Sequence, residues 1–177
     1  YCLPDRVPTK WGHISLVRAT LRLFQEALLD PDNTHFILLS DTFLPIYQFE
    51  TIYTQIMERD ANWITSSSRH RERFQRLRDP TFFDEAQFMK QSQWMSLKRD
   101  AVEYCVSHDH TDVFGDGFFA PDEHYFINVL NKANIPVLNR QCTFVNWNDM
   151  SVSPLWQRPL PTTYTHLTND MLQVLRS

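Results

Sequence analysis

The chain has 177 residues, of which 42% are hydrophobic and 21% charged, and this composition predicts a globular protein rather than a disordered one. Its formal net charge of −4 argues against broad binding to nucleic acid, and no apolar run approaches the roughly 20 residues that span a bilayer. The three glycines, Gly12, Gly115 and Gly117, form neither a P-loop nor a dinucleotide-binding turn. A phosphate-bearing ligand would therefore be held by side chains, ordinary backbone or helix ends.

The first part of the chain alternates predicted helices with short predicted strands. Apolar residues at helical spacing predict a helix over 14–29, and turn-forming residues at 30–33 end it. The short apolar run at 35–39 predicts a buried strand. A second amphipathic helix is predicted over 49–57, and a second strand over 62–65.

The same alternation continues to the end of the chain. A third strand is predicted over 92–97, and it runs directly into a helix over 99–106. Pro121 predicts the start of another helix, because proline suits a first helical position. A fourth strand is predicted over 143–147, and Thr168 is expected to cap a last helix that reaches Leu175. The pattern indicates an α/β layer architecture and a single domain covering all 177 residues.

Two motifs have ligand types that could bind a metal, but each has a simpler explanation. Asp30-Pro31-Asp32 has the D-x-D pattern of many sugar-nucleotide enzymes, yet it lies in a turn that precedes a strand. Ligands in open α/β sheets are expected beyond the carboxyl ends of strands instead. His108-Asp109-His110 with Asp112 lacks a third ordered ligand, and a solvated polar loop explains it better. The sequence therefore predicts no metal site.

A basic segment concentrates positive charge in an otherwise acidic chain. The guanidinium group is a planar donor suited to phosphate or carboxylate, but a solvated helix face paired with nearby acids is an equally good interpretation. The segment's arginines are Arg69, Arg71, Arg73, Arg76 and Arg78.

Glu123 is the acidic residue with the most suggestive surroundings. It follows Pro121 and Asp122 in a predicted first helical turn, beside His124 and several aromatic residues. A carboxylate partly withdrawn from water can act as a general base. The simpler interpretation is that both acids complement the helix dipole, and residue types alone favour it. No nucleophile motif is present.

Six short motifs in a fixed order resemble those of a known enzyme family. They are Lys10-Trp11-Gly12, Ala27-Leu28-Leu29-Asp30, Phe36-Ile37-Leu38-Leu39-Ser40-Asp41 with Leu44-Pro45, Lys90-Gln91-Ser92-Gln93-Trp94, Pro121-Asp122-Glu123-His124-Tyr125-Phe126 and Thr143-Phe144-Val145-Asn146-Trp147. The chain resembles the core-2/I-branching β-1,6-N-acetylglucosaminyltransferases, most nearly the plant-type members, over roughly residues 8–175.

This resemblance implies a fold, a reaction and a base. The fold would be a GT-A-type, Rossmann-like α/β sandwich. The reaction would be inverting transfer of a sugar, N-acetylglucosamine in the family's name, from a UDP-sugar donor to a hydroxyl of a glycan or glycoprotein acceptor. The family works without a divalent metal or other cofactor, and its catalytic base corresponds to Glu123. This outweighs the helix-dipole interpretation of that residue.

The resemblance also implies a set of substrate-binding residues. Two would lie in the crevice beyond a strand, three would line the acceptor side, one aromatic ring would stack on a sugar, and the others would contact acceptor or phosphate. They are Ser40, Asp41, Arg73, Arg76, Ser92, Gln93, Trp94, Asp122 and Trp147.

The chain departs from the family pattern in several places. The family's first strands, which form most of the nucleotide pocket, precede Trp11, and its basic diphosphate motif follows the last helix. We therefore expect the central and C-terminal part of a catalytic domain that binds donor weakly or not at all by itself. Gln91 stands where relatives carry glycine, which is expected to narrow a backbone approach, and Asn146 and Asn148 also differ.

The resemblance leaves the cellular setting and one alternative function open. Family members are usually single-pass Golgi proteins, so a membrane anchor outside this chain is implied. The alternative is a catalytically inactive carbohydrate-binding domain on the same scaffold. A nucleic-acid-binding module based on the arginine segment is disfavoured by the negative net charge.

Overall fold

The computed structural model describes residues 2–145, 151–152, 159–160, 166 and 168–176. The chain divides into two compact units, Tyr1–Leu39 with Arg59–Cys142 and Ser40–Glu58 with Thr143–Ser177. The single domain expected from the sequence stays a prediction.

The helices and strands follow one another along the chain much as predicted. The helices are α1 (Ser15–Ala27), α2 (Phe49–Arg59), α3 (Arg99–Ser107), α4 (Thr111–Phe114), α5 (Tyr125–Lys132) and α6 (Asn169–Arg176). The strands are β1 (His35–Ile37), β2 (Asn62–Ser67), β3 (Lys90–Lys98), β4 (Val137–Leu138), β5 (Ser151–Val152) and β6 (Pro159–Leu160).

The first unit contains a four-stranded mixed sheet with the order β1-β3-β2-β4. The central strand β3 pairs antiparallel with β1 and with β2, whereas β2 and β4 are parallel. Phe36 lies opposite Leu97 and Trp63 lies opposite Ser96, and the register of β2 against β3 shifts between Ile64 and Ser66. The predicted α/β class is confirmed.

Some strands begin or end at other residues than predicted, because hydrogen-bonded pairing with a neighbouring strand, and not the apolar run in the sequence, determines where a strand ends. β1 ends at Ile37 instead of residue 39, and β3 begins at Lys90 instead of residue 92 because Ser67 pairs with Lys90. Residues 143–145 are not a strand, and the rest of the predicted fourth strand lies outside the described residues. The sequence missed β4, whose two residues are too few to show a pattern.

The helix start predicted at Pro121 is a 3-10 turn, Pro121–Glu123, and the α-helix begins only at Tyr125. The interruption lies at His124, whose φ of −140° is not helical. Ala120, just before the turn, has a left-handed backbone with φ 54°. The prediction of a continuous helix was wrong because the His124 side chain turns into the core at this point.

Two phenylalanine rings, Phe88 and Phe118, pack against the buried His124 at the end of this turn. His124 is fully buried and stacks on Phe88 with ring centroids 5.2 Å apart and planes 6° from parallel. Phe118 meets the same imidazole edge-on at 5.4 Å. Because protein interiors are close-packed, these rings set the position of the turn to within small displacements.

The main core joins α1, α3 and α5 to the sheet. The most deeply buried aliphatic side chains of this core are Ile14, Val17, Ile64, Met95, Leu97, Val102, Val129 and Leu130.

The second unit contains the two-stranded β5–β6 sheet, α6 and all but the last residue of α2. Thr168 accepts a hydrogen bond at Oγ1 from the Met171 amide at 3.3 Å, so the predicted cap of the last helix is confirmed. Arg176 donates to the carbonyl of Ile46, and the Tyr47 hydroxyl donates to the Arg176 carbonyl at 3.0 Å. Across the described residues, we find no helix with the length and apolar character needed to cross a membrane.

Candidate functional site

The Glu123 carboxylate lies between two cationic side chains. Arg73 Nη1 is 3.2 Å from Oε2, and Lys90 Nζ is 3.2 Å from Oε1. The Glu123 side chain is 32% exposed, so it is partly accessible to solvent. The structure therefore brings together two residues predicted for the site, Glu123 and Arg73, and adds Lys90, which the sequence analysis missed.

His124 is held as a neutral imidazole beneath this ion-paired group. Its Nδ1 atom is 2.9 Å from the carbonyl oxygen of Met89, which can only accept, so Nδ1 carries the proton. Nε2 then accepts from Arg73 Nη1 at 3.3 Å. Burial lowers the pKa of His124 to about 4, outweighing the opposite effect of the Met89 carbonyl.

Asn128 joins the start of β3 to the start of α5. Its side-chain amide donates to the carbonyl of Met89 at 2.8 Å and to that of His124 at 2.6 Å. Its Oδ1 accepts from the Met89 amide at 2.9 Å. These three bonds place Lys90, the next residue after Met89, beside the Glu123 turn.

Gln91 makes a second link between the same two elements. Its side chain is buried, and its Oε1 accepts from the Ile127 amide at 2.6 Å, in the first turn of α5. This satisfies one of the amides that a helix start leaves without an internal partner. The Gln91 side chain thus points inward and caps α5.

Asp122 lies in an environment unlike that of its neighbour Glu123. Its Oδ1 atom is buried and has no hydrogen-bond partner within the part of the chain that the structure describes. Burial, together with the negative charge of Glu123, raises the pKa of Asp122 to about 6. Adjacent carboxyl groups in such different surroundings are a common feature of catalytic sites.

An aromatic pair extends from Arg73 to the protein surface. The Arg73 guanidinium lies over the Phe119 ring, 5.3 Å from its centroid. The Trp11 ring meets Phe119 edge-on at 5.5 Å, and Trp11 is 58% exposed.

The arginines of the basic segment do not all behave alike: they are neither all part of a ligand site nor all on a solvated helix face. Arg71–Arg76 is a 3-10 helix with Phe74 buried beneath it. Arg73 turns toward Glu123, whereas Arg76 is exposed. A role for Arg76 in substrate binding stays a prediction.

The other predicted binding residues lie in different places. Ser40 and Asp41 belong to the second unit, where Ser40 Oγ lies 2.9 Å from Thr42 Oγ1. Residues 92–94 are half-buried in β3, and the Ser92 hydroxyl accepts from the Trp94 amide at 3.3 Å. Trp147 lies outside the described residues. Their functional roles stay predictions.

The Asp30–Asp32 motif forms a turn, as its residue types predict. Asp30 Oδ1 accepts from the Asp32 amide at 3.0 Å. Arg99 donates to four carbonyl oxygens around the turn, those of Leu28 at 2.9 Å, Asp30 at 3.0 Å, Pro31 at 3.5 Å and Asn33 at 2.9 Å. The Arg99 side chain thus holds the turn through the backbone carbonyl groups of the turn.

The other possible metal-binding motif also makes local contacts. The His108 ring stacks on Tyr104 with centroids 4.2 Å apart. Over the described ranges, no group of three or more His, Cys, Asp or Glu side chains is arranged to hold a metal ion.

Two concavities of the first unit do not include Glu123 in their linings. One, of about 980 Å³, lies between residues 2–7 and α1. The other, of about 220 Å³, is bounded by Phe82, Asn128 and Lys132. The ion-paired carboxylate at the 121–124 turn is therefore described by its side-chain contacts.

The structure combines an α/β fold with an aspartate–glutamate pair in the turn just before α5. Both features agree with the family resemblance of the sequence motifs. The model of the Core-2/I-Branching enzyme family matches residues 1–176, and the chain belongs to that family. The resemblance found from the sequence is confirmed.

One similar protein is Glycosyltransferase BC10 of Oryza sativa subsp. japonica. It is 32% identical to the chain over 106 residues, which are 59% of this chain and 26% of the relative. The match thus spans about a quarter of that relative's length.

Proposed function

We propose that the chain is part of an inverting glycosyltransferase that moves N-acetylglucosamine from a UDP-sugar to a hydroxyl of a glycan acceptor, with Glu123 as general base. The proposal rests on family membership together with one structural observation. A partly exposed carboxylate is held from both sides by Arg73 and Lys90 at 3.2 Å.

The reaction needs one positioned base. In a single displacement, the acceptor oxygen bonds to the anomeric carbon, its proton moves to the carboxylate, and the UDP diphosphate leaves with the bonding electrons. An ionised carboxylate has about four acceptor positions on its two oxygens. The contacts with Arg73 and Lys90 occupy two, so a hydroxyl can still reach the exposed part of Glu123.

The reaction also needs positive charge for the leaving group. Negative charge grows on the diphosphate in the transition state, and cationic side chains can stabilise it. We propose that basic side chains serve this purpose in place of a divalent metal. The engagement of the Asp30 carboxylate in its own turn supports a structural role for the D-x-D motif.

The remaining features of the proposal follow from the family. They are a GT-A-type arrangement of the complete domain, a nucleotide-sugar donor, a glycan or glycoprotein acceptor, and a Golgi location through an anchor outside this chain. The relative's name supports glycosyl transfer, and no comparison supports a catalytically inactive binding domain.

Glu123→Gln tests the proposed base. Transfer from UDP-N-acetylglucosamine to glycan acceptors is measured in the full-length protein, and kcat is expected to fall by about 10²–10⁴-fold because the amide cannot take the proton. Glu72→Gln is the matched control, since Glu72 contacts His70 at 3.2 Å in the same basic segment. Turnover of Glu123→Gln close to that of Glu72→Gln would remove Glu123 from the role.

A further inference from the structure

Trp11 presents a large ring to solvent and is linked to the ion-paired Glu123 through two intervening side chains, Phe119 and Arg73. It is 58% exposed and meets Phe119 at 5.5 Å, and Phe119 lies directly under the Arg73 guanidinium. Arg73 in turn contacts Glu123 at 3.2 Å. We propose that Trp11 is the floor of a sugar-binding subsite, on which a pyranose ring of the acceptor stacks. This inference rests on the proposed function and names where the acceptor lies.

The backbone around Trp11 is held in one conformation. Gly12 has a φ of +68°, which side-chain-bearing residues rarely adopt, and its carbonyl accepts from the Ala120 amide at 2.9 Å. A Cβ atom at Gly12 would lie 3.0 Å from the Phe119 ring. The turn is closed by the His13 amide, which donates to the Lys10 carbonyl at 3.1 Å. The residue after Trp11, Gly12, is therefore hydrogen-bonded to the segment that leads into the Glu123 turn.

The surroundings favour a sugar over other ligands. A pyranose ring has an apolar face of C–H groups, which packs on an aromatic ring, and an edge of hydroxyls, which needs hydrogen-bonding groups nearby. Arg73, which lies over the Phe119 ring that Trp11 contacts, has donors for such hydroxyls, and the Glu123 carboxylate paired with it has acceptors. A nucleotide diphosphate would bring more negative charge next to Glu123 and Asp122. The uracil base is therefore the less suitable occupant of the Trp11 ring.

Binding by the 177-residue chain can be followed at the indole N–H of Trp11 by nuclear magnetic resonance. The probes are methyl β-D-galactopyranoside, N,N′-diacetylchitobiose and UMP. At least one sugar is expected to shift the Trp11 signal, and Trp11→Ala is expected to weaken its binding by about three- to tenfold. Trp11→Phe keeps an aromatic ring and should retain most of the affinity. Leu29→Ala, at an apolar residue that is 74% exposed, is the control and should leave binding unchanged.

Several outcomes would overturn the inference. These are sugar binding by Trp11→Ala as tight as by the unmodified chain, Trp11 shifts caused by UMP alone, and no sugar-dependent Trp11 shift in a chain whose circular dichroism shows it to be folded.

Transfer assays separate this inference from the proposed function. In the full-length protein, Trp11→Ala is expected to raise the acceptor KM by the same factor while the donor KM and kcat stay near their original values. Trp11-dependent sugar binding in a protein that transfers no sugar would support the subsite and overturn the transferase proposal. Unchanged acceptor KM in an active enzyme would overturn the subsite alone.

Discussion

Arg73 and His124 share a hydrogen bond that reaches from the core to the proposed base. The same Nη1 atom of Arg73 lies 3.3 Å from His124 Nε2 and 3.2 Å from Glu123 Oε2. Because His124 is fully buried among aromatic rings, it fixes where the guanidinium group lies. We therefore expect His124 to act as a positioning residue for Glu123 through Arg73.

Replacing His124 by phenylalanine should reveal this role. The ring can still stack on Phe88, but it no longer accepts from Arg73 or donates to the Met89 carbonyl. We expect the free energy of unfolding at pH 7 to fall by about 1–3 kcal/mol, measured by urea denaturation. In the full-length enzyme, kcat should fall while the donor KM is retained. An unchanged kcat would contradict the positioning role.

The same variant should change the response to acid. The unfolded chain binds a proton at His124 below about pH 6.5, whereas the folded chain does so only near the lowered pKa of about 4. His124 therefore removes stability as the pH falls from about 6.5 to about 4. His124→Phe should lack this loss. If the free energy of unfolding, measured at several pH values, changes with pH in the same way for both proteins, the imidazole is not held buried and neutral.

Asp122 should act on stability in the opposite direction. Its pKa is about 6 in the folded chain against an ordinary value of 3.8, so the folded state takes up the proton first as the pH falls. Stability is therefore lost as the pH rises from about 4 through about 6. We expect Asp122→Asn to be more stable than the original chain at pH 7, by about 1–3 kcal/mol, and equally stable below about pH 4.

Asp116→Asn is the control for this measurement. Asp116 has a side chain that is 78% exposed and pairs with His13 at 3.4 Å, so its loss should have little effect at either pH. A gain for Asp122→Asn that is the same at pH 4 and pH 7 would show that ionisation of the carboxyl is not its cause.

Arg99 should contribute far more to stability than an ordinary surface arginine. Its guanidinium group donates to the carbonyls of Leu28, Asp30 and Asn33, which lie after the end of α1. We expect Arg99→Met to lose about 2–4 kcal/mol of unfolding free energy. Arg18→Met is the comparison, because Arg18 makes an exposed ion pair with Asp112 at 3.8 Å and its replacement should cost less than about 0.5 kcal/mol. Equal losses in calorimetry would contradict the structural role of Arg99.

Much of the local structure could be predicted from the sequence. The periodic apolar residues of α1 and α3 and the cap at Thr168 depend on neighbours only a few positions away, so they could be recognised without the fold. The turn at 30–32 was predicted for the same reason. β4 could not be, because two residues show no period and only pairing with β2 makes them a strand.

The sequence by itself determined the α/β class, most helices and, through six ordered motifs, the family and the position of the aspartate–glutamate pair. Only the tertiary structure decided that Lys90 contacts Glu123, that Gln91 caps α5, and that Asp122 is desolvated while Glu123 is ion-paired. Helical periodicity and turn chemistry are local properties of the chain. Charge pairing and burial depend on which distant segments pack together. Here the hydrogen bonds between Asn128 of α5 and Met89, just before β3, bring these two segments together.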